Sequence, residues 1–358
     1  MTPAAQAASA ASSAIKIILP GTMPGVRYRL LRPLALASLI ANAALVVTGA
    51  AVRLTGSGLG CPTWPRCTAE SYTTTGEMGV HGAIEFGNRL LTFVLVAIAL
   101  ACFVAALAEK PRRRSLVLLA LAVGLGIPGQ GVIGGVTVLT NLNPWVVGLH
   151  FLLSMVLIAV AYALWTRTAE GDAKPVSRVP VPLRQLARLT ALAGAAVIVA
   201  GVIVTGSGPH AGDEDARRTG LDPATVSQAH ADLVFLLIGL SVALWFGLRA
   251  AGAPGPAVRA AGVLVLVELG QGAIGFVQYF THLPVLLVGV HMLGAVLVWI
   301  ATLAMLHSLR TRPVLGVPRT DPARAGRAVS SPGAPDTGHA VPNAPSPDPV
   351  APTGSRPS

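Results

Sequence analysis

Eight long apolar segments, separated by polar ones, constrain this chain more than any other feature. Each is near or above the ~20 residues that a helix needs to cross ~30 Å of hydrocarbon. Because backbone polar groups need internal partners in lipid, the segments predict helices. Only 11% of the residues are charged, against about 25% in soluble domains. The sequence therefore predicts an all-α integral membrane protein with transmembrane helices at about 33–54, 81–108, 116–136, 144–165, 187–206, 227–248, 260–279 and 285–307.

Two motifs recur along the chain and divide it into two related halves. Residues 130–150 (QGVIGGVTVLTNLNPWVVGLH) resemble residues 271–291 (QGAIGFVQYFTHLPVLLVGVH), and 52–58 (VRLTGSG) resemble 202–208 (VIVTGSG). Four helices per half is an even number, so both halves enter the membrane in the same direction. The sequence thus predicts two four-helix bundles that form a parallel repeat about an axis along the membrane normal.

Most of the basic residues lie on one side of the predicted membrane. The net charge is +11, and most lysines and arginines fall at 16–32, 110–114, 167–188 and 249–259 and in the C-terminal tail. The other side receives only Arg53, Arg66, Arg89, Arg217 and Arg218. The positive-inside rule then places both termini in the cytoplasm. This pattern argues against a nucleic-acid partner, since the charge follows the loops and forms no binding stripe.

Composition sets the domain boundaries. The N-terminal residues are rich in alanine and serine, and the C-terminal residues are rich in proline, alanine and serine without apolar periodicity, which is typical of disordered segments. The predicted organisation is a cytoplasmic leader (1–32), an N-terminal four-helix half (33–166), a cytoplasmic linker (167–186), a C-terminal four-helix half (187–308) and a disordered cytoplasmic tail (309–358).

Histidines within the apolar segments are the first candidates for chemistry. His150 and His291 occupy the same place in their repeats, and His230 lies near the start of the sixth segment. At 1.5 Å per residue, all three lie at similar depth. Two neutral imidazoles that face each other across a bundle suit a six-coordinate haem, and the alternative is a hydrogen-bonded pair of core histidines. The counterpart of His230 in the first half is Asn88, a poor ligand for haem iron.

A carboxylate marks the same region of the first half. His81, Glu85 and Asn88 share one helix face, because they are spaced by four and three residues. A carboxylate within a membrane segment is costly and marks function by default. Glu85 is therefore the first choice for a catalytic or proton-handling group, and the alternative is a structural pair with Arg89 four residues later.

The first outer loop carries two cysteines, Cys61 and Cys67. A disulfide is plausible in an oxidising outer compartment. The short, proline-bearing spacing predicts an exposed bond, either redox-active or structural. Arg217 and Arg218 are candidates for neutralising porphyrin carboxylates. Cys102 is assigned to packing, His210 to a loop, and Asp232 and Glu268 to no role.

Together these motifs resemble the haem A synthase family, with the character of an actinobacterial member. The resemblance covers about 35–308. It depends on Arg53-Leu-Thr-Gly-Ser-Gly-Leu-Gly-Cys61, the outer cysteine pair, Ile84-Glu85-Phe86-Gly87, the two Gln-Gly-x-Ile-Gly runs, and His150, His230 and His291.

The resemblance implies a membrane enzyme of the bacterial cell membrane that oxidises the C8 methyl of haem O to a formyl group. It assigns haem b to His230 and His291, the substrate haem to His150, the catalytic carboxylate to Glu85, and delivery of reducing equivalents to a Cys61–Cys67 disulfide. It also implies a haem O synthase and oxidase assembly factors as partners. Propionate contacts would fall to Arg89, Arg217 and Arg218.

One position departs from that family, because many members have histidine where this chain has Asn88. Coordination of the substrate haem is then one-sided, or another residue supplies the bond. Two other functions remain in competition at this stage. A non-enzymatic dihaem electron carrier would prefer two complete ligand pairs, and a haem or solute transporter would account for the repeat alone.

Overall fold

The computed structural model describes residues 30–313. It contains eight helices that are long and apolar enough to cross a membrane, so the predicted all-α, multi-pass membrane fold is confirmed. The predicted leader up to residue 29 and the predicted tail from residue 314 lie outside the described residues. The helices are α1 (Leu31–Leu54), α2 (Gly79–Ala108), α3 (Arg114–Leu139), α4 (Pro144–Arg167), α5 (Val181–Ser207), α6 (Pro223–Ala250), α7 (Gly255–Phe280) and α8 (Val285–Ser308).

Each set of four helices closes into a ring. Helix α1 packs against α2 and α4, and α3 packs against the same two helices, so α2 and α4 lie diagonally opposite each other. In the second set, α5 and α7 both pack against α6 and α8. The two sets meet through α1, α4, α5 and α8. The interior of each ring is therefore lined by diagonal helix pairs, and this arrangement positions the candidate ligands.

The two ends of the bundle differ in their loops. The cysteine end carries the segments 55–75, 140–143, 208–222 and 281–284, and the arginine end carries 109–113, 168–180, 251–254 and 309–313. At the cysteine end, the Gly58 amide donates to the Gly212 carbonyl at 2.8 Å. Arg53 donates there to the carbonyls of His210 (2.6 Å) and Thr205 (2.8 Å). Helices α1 and α5 therefore end on the same side.

Several helices start with proline, which has the helical φ and needs no hydrogen bond at that position. Asn143 and Asp222 cap α4 and α6 by accepting from the amides of Trp145 and Thr225. The side-chain and backbone hydrogen bonds from Thr225 lower the pKa of Asp222. Helix α3 continues through Pro128 without a break, although the sequence pattern is interrupted there. Proline is tolerated in membrane helices because neighbouring groups satisfy the freed backbone.

The arginine end is held by ion pairs in which the two arginines are buried. Arg167 pairs with Glu170 at 3.0 Å, and Arg113 pairs with Asp172 at 2.6 Å. Two short strands, β1 (Val176–Ser177) and β2 (Arg310–Thr311), pair antiparallel beside them. Helix α5 begins at Val181, earlier than the apolar pattern suggests, because Pro180 and Pro182 favour a helix start. The segment between the two sets is thus packed and paired.

Candidate functional site

Three histidines lie inside the rings, each against a glycine of the preceding helix. A Cβ atom added at Gly134, Gly201 or Gly275 would lie 3.2–3.3 Å from Cε1 of the nearby imidazole. Each glycine therefore makes room for one imidazole, and a larger residue at its position would displace that imidazole. The pairs are Gly134 with His150, Gly201 with His230, and Gly275 with His291.

His230 and His291 belong to one site. They lie on the diagonal helices α6 and α8. Counting from Pro223 and Val285, both lie roughly 10 Å below the start of their helices at 1.5 Å per residue. The two histidines are therefore at similar depth on opposite helices of one ring.

The imidazoles are half-buried, and each has one buried polar atom that is unused. Nδ1 of His150, His230 and His291 has no hydrogen-bond partner within the described part of the chain. A buried polar atom without a partner is costly. A buried nitrogen without a partner, in an imidazole that packs on a glycine, is expected of a histidine that binds another molecule.

Two glutamines fix the helices that carry His150 and His291. The amide of Gln271 donates to the His291 carbonyl at 2.7 Å. The amide of Gln130 donates to Ser154 at 3.1 Å, and the Ser154 hydroxyl donates to the His150 carbonyl at 3.0 Å. The repeated Gln-Gly-x-Ile-Gly run therefore does more than allow close packing: it sets the position of a histidine-bearing turn.

Asn88 occupies the position in α2 that corresponds to His230 in α6. It lies on α2, diagonal to α4 and His150. The Thr48 hydroxyl of α1 donates to its Oδ1 at 2.8 Å. Sequence reasoning did not identify Thr48, because one threonine in an apolar helix gives no signal by itself.

Glu85 and Arg89 form the polar centre at the cysteine end of α2. Arg89 Nη2 lies 2.6 Å from Glu85 Oε1, and the other carboxylate oxygen accepts a hydrogen bond from the Cys61 amide. Arg89 also donates to the carbonyls of Cys61 (3.1 Å), Thr63 (3.1 Å) and Arg66 (3.3 Å). The predicted Glu85–Arg89 pair is therefore present, and it holds the cysteine loop.

The cysteine loop is exposed at Pro62, Pro65 and Arg66, as expected, but the disulfide within it is buried, so the expectation of an exposed bond is wrong. Cys61 and Cys67 form a disulfide and both are 0% exposed. Two contacts explain the burial. The Trp64 ring packs on Gly135, where a Cβ would overlap it, and Gly60 lies against the His81 backbone, which leaves no room for a side chain. Gly135 adjoins Gly134, so the loop covers the end of the ring that contains His150.

The remaining predicted groups are placed apart from the histidines. His81 is exposed, and its Nδ1 lies 2.9 Å from the Ser57 hydroxyl. The His210 Nε2 atom contacts the Leu283 carbonyl at 2.9 Å. Arg218 donates to the carbonyls of Ala216 (2.5 Å) and Pro209 (2.7 Å), whereas Arg217 is an exposed neighbour. His210 and Arg218 therefore organise the 208–222 segment, and contact of the arginines with propionates stays a prediction.

Two membrane carboxylates gain local explanations. The Ser241 hydroxyl donates to Glu268 Oε1 at 2.8 Å, and Glu268 Oε2 is buried without a partner among the described residues. Asp232 is exposed and accepts from Gln228 at 2.7 Å. Cys102 is buried and unpaired by disulfide, in agreement with a packing role.

The histidine sites suit a porphyrin better than a bare metal ion. The described residues contain no group of three or more His, Cys, Asp or Glu side chains that could hold a metal. Haem iron needs only axial ligands from the protein, because the porphyrin fills its other four positions. Two imidazoles on diagonal helices, each packed on a glycine, fit that requirement.

Comparison with known proteins identifies the family of the chain. A family model described as COX15-CtaA, cytochrome oxidase assembly protein, matches residues 32–303. A protein named Heme A synthase from Halalkalibacterium halodurans is 30% identical over 132 residues, which are 37% of this chain and 43% of that protein. Another protein of that name from Lysinibacillus sphaericus is 29% identical over 147 residues, which are 41% of this chain and 47% of that protein.

A third relative of the same name, from Listeria monocytogenes, is 28% identical over 138 residues, 38% of this chain and 45% of that protein. The chain thus spans less than half the length of the curated relatives that it matches. The family model, in contrast, covers all eight helices except the last residues of α8 and the first of α1. The chain therefore belongs to the COX15-CtaA family of cytochrome oxidase assembly proteins.

Proposed function

We propose that the protein is a haem A synthase, a membrane oxidoreductase that converts the C8 methyl of haem O into the formyl group of haem A for terminal oxidases. The observation that carries this proposal is an asymmetry between the two rings. One ring has a complete histidine pair, His230 and His291. The other has His150 alone and is covered by a loop whose buried disulfide lies next to a carboxylate. This difference is expected if one ring holds an electron-transfer site and the other holds a reaction site.

The C-terminal ring is the resident cofactor site in this proposal. His230 and His291 would hold haem b, which supplies electron transfer when bound. Gly201 lies beside Cε1 of His230, and Gly275 lies beside Cε1 of His291. The two glycines therefore restrict the orientation of the imidazole planes. Gln271 fixes the turn of α8 that carries His291. These residues keep the ligands in place, and they do not take part in chemistry at the methyl group.

The N-terminal ring is the substrate site. His150 would bind the haem O iron, and Ser154 and Gln130 hold its helix turn in position. Trp64, Cys61 and Cys67 cover the cysteine end of this ring, so they would exclude water from the substrate. Exclusion of water strengthens electrostatic interactions inside a site.

Glu85 is the proton-handling residue of the proposal. Its carboxylate is 6% exposed and accepts from the Cys61 amide and from Arg89. Arg89 orients this carboxylate and the loop together. A change in the disulfide would therefore reach Glu85 through a single hydrogen bond, which favours a role for Cys61 and Cys67 in the delivery of reducing equivalents.

The cellular setting follows from the same proposal. The cysteine end would face the outside of the bacterial plasma membrane, and both termini would lie in the cytoplasm, in agreement with the basic loops at the arginine end. Haem O synthase and oxidase assembly factors would be its partners. Arg217, exposed at the cysteine end, is the best placed of the predicted arginines to meet propionates.

Co-expression with a haem O synthase tests the proposal. Porphyrins extracted from the membranes are separated and identified by mass, and we expect hydroxymethyl and formyl products. Glu85→Ala is expected to abolish conversion and to retain the haem b spectrum. Glu109→Ala, at the opposite end of the same helix, is the matched control. Unmodified haem O in folded, haem-loaded protein would remove the enzymatic function and leave an electron carrier.

A further inference from the structure

Three residues differ together between the two rings. Asn88 corresponds to His230, 142 residues later in the chain, while Ala51 and Thr48 correspond to Gly201 and Ile198, 150 residues later. Gly201 is the residue that makes room for the His230 imidazole. The N-terminal ring thus lacks both the histidine and the glycine that would accommodate it, and it has a polar residue in place of a buried isoleucine.

The polar residue is the one that holds Asn88. Thr48 Oγ1 lies 2.8 Å from Asn88 Oδ1 and 3.1 Å from the carbonyl of Leu45, so the contact with the amide is the shorter one. The oxygen and the nitrogen of a primary amide point in different directions. With Oδ1 held by α1, Nδ2 is turned away from α1, and no described residue accepts from it. The Asn88 amide therefore has a defined orientation within the N-terminal ring.

The amide lies on the helix opposite the one remaining ligand. Helices α2 and α4 are diagonal across the N-terminal ring, as are α6 and α8, which carry His230 and His291. Asn88 consequently takes the place of an axial ligand. An amide is a poor ligand for haem iron, but its N–H is a good hydrogen-bond donor.

We propose that Asn88 leaves the iron position opposite His150 open and offers a hydrogen-bond donor to a small ligand bound there, and that Thr48 positions this donor. The proposal deepens the proposed function and depends on it, because it requires a porphyrin at His150. The ligands concerned are diatomic molecules and small anions. His230 and His291 would occupy both protein-facing positions of a haem iron bound between them, so the two rings would differ in their access to such ligands.

Ligand binding to purified protein loaded with haem O tests this inference directly. The reduced protein is titrated with carbon monoxide, and total haem is measured alongside. We expect two haems per chain, of which one binds carbon monoxide. Asn88→His is expected to abolish carbon monoxide binding and to raise the low-spin signal from one haem to two. Circular dichroism and gel filtration establish that this variant is folded.

The donor is tested separately with fluoride and the oxidised protein. Thr48→Val and Asn88→Leu leave the position open, so carbon monoxide still binds. We expect the affinity for fluoride to fall roughly tenfold in each, the effect of losing a hydrogen bond to a charged ligand. Thr190→Val is the matched control, because Thr190 bonds only to the Leu186 carbonyl of its own helix, and it is expected to leave the affinity unchanged.

The outcomes separate this inference from the proposed function. Two haems per chain with no carbon monoxide binding would overturn the open position and leave the substrate site intact. An unchanged fluoride affinity in Thr48→Val and Asn88→Leu would overturn the role of the donor. A single haem per chain would overturn the substrate site itself, and this inference with it.

Discussion

Removal of the Arg89 side chain is the perturbation with the largest expected cost. Arg89 binds Glu85 Oε1 at 2.6 Å and three loop carbonyls at 3.1–3.3 Å. Without it, a Glu85 side chain that is 7% exposed keeps only the Cys61 amide as partner. Breaking a buried ion pair costs about 3–5 kcal/mol. Because the Arg89 side chain is 21% exposed, water compensates in part, and we expect about 3 kcal/mol for Arg89→Met.

The partner substitution is expected to be milder. Glu85→Gln keeps an acceptor for Arg89, but its amide nitrogen replaces the oxygen that accepts from the Cys61 amide. The variant therefore loses charge assistance and one hydrogen bond, and its expected cost is about 2 kcal/mol. In Glu85→Gln/Arg89→Met there is no buried charge left unpaired. The double variant should therefore be more stable than the sum of the single effects, by about 1 kcal/mol or more.

Two assays measure these effects in detergent. Reversible unfolding gives the free energies, and the rate at which dithiothreitol reduces the Cys61–Cys67 bond reports on the loop. We expect faster reduction in Arg89→Met, since the loop has lost its ties to α2. Arg249→Met is the control: Arg249 stacks on Trp245 at 5.1 Å, a contact of about 1 kcal/mol. Equal costs for Arg89→Met and Arg249→Met, or strict additivity in the double variant, would refute the reasoning.

Three further predictions concern separate parts of the molecule. Gly201→Ala places a Cβ 3.2 Å from His230 Cε1 and should shift the electron paramagnetic resonance of the low-spin haem, whereas Gly239→Ala, with nothing within 4 Å, should not. Asp222 has a pKa lowered by Thr225, so its stabilisation of the start of α6 is present above the unfolded pKa of about 4 and is lost as the pH falls through the lower folded value. As the pH falls through that value, hydrogen exchange of the Thr225 amide should become faster in the unaltered protein. In Asp222→Asn, the exchange rate corrected for intrinsic rates should not depend on pH. Trp299→Phe removes the 2.9 Å bond from Trp299 to the Met155 carbonyl between the two rings, and unfolding should show a loss of about 1 kcal/mol; no change would argue that this bond adds nothing to the interface.

Much of the fold followed from the sequence for a simple physical reason. A lipid bilayer demands about 20 apolar residues per helix, so the eight helices could be read from composition. Their ends were less predictable. Helix α5 starts at Val181, because proline sets the start and hydropathy does not. Pro128 interrupts the pattern of α3 but not the helix, since a membrane helix bends more easily than it breaks.

The site was predictable where spacing carries information. The similar depth of His230 and His291 follows from counting residues from the helix starts, and the Glu85–Arg89 pair follows from a spacing of four residues. The contact of Cys61 with Glu85 and that of Trp64 with Gly135 join segments far apart in the chain. No periodicity encodes such contacts. The exposure of the disulfide was mispredicted for the same reason, because the loop folds inward onto α2 and α3.

The division of labour between the two rings has one direct test. Protein made in a host without haem O is purified, and the bis-histidine low-spin signal is recorded for the unaltered chain and for three variants. We expect His230→Ala and His291→Ala each to lose the signal, and His150→Ala to retain it in full. Loss of the signal in His150→Ala, or its survival in His291→Ala, would contradict the assignment of haem b to the C-terminal ring.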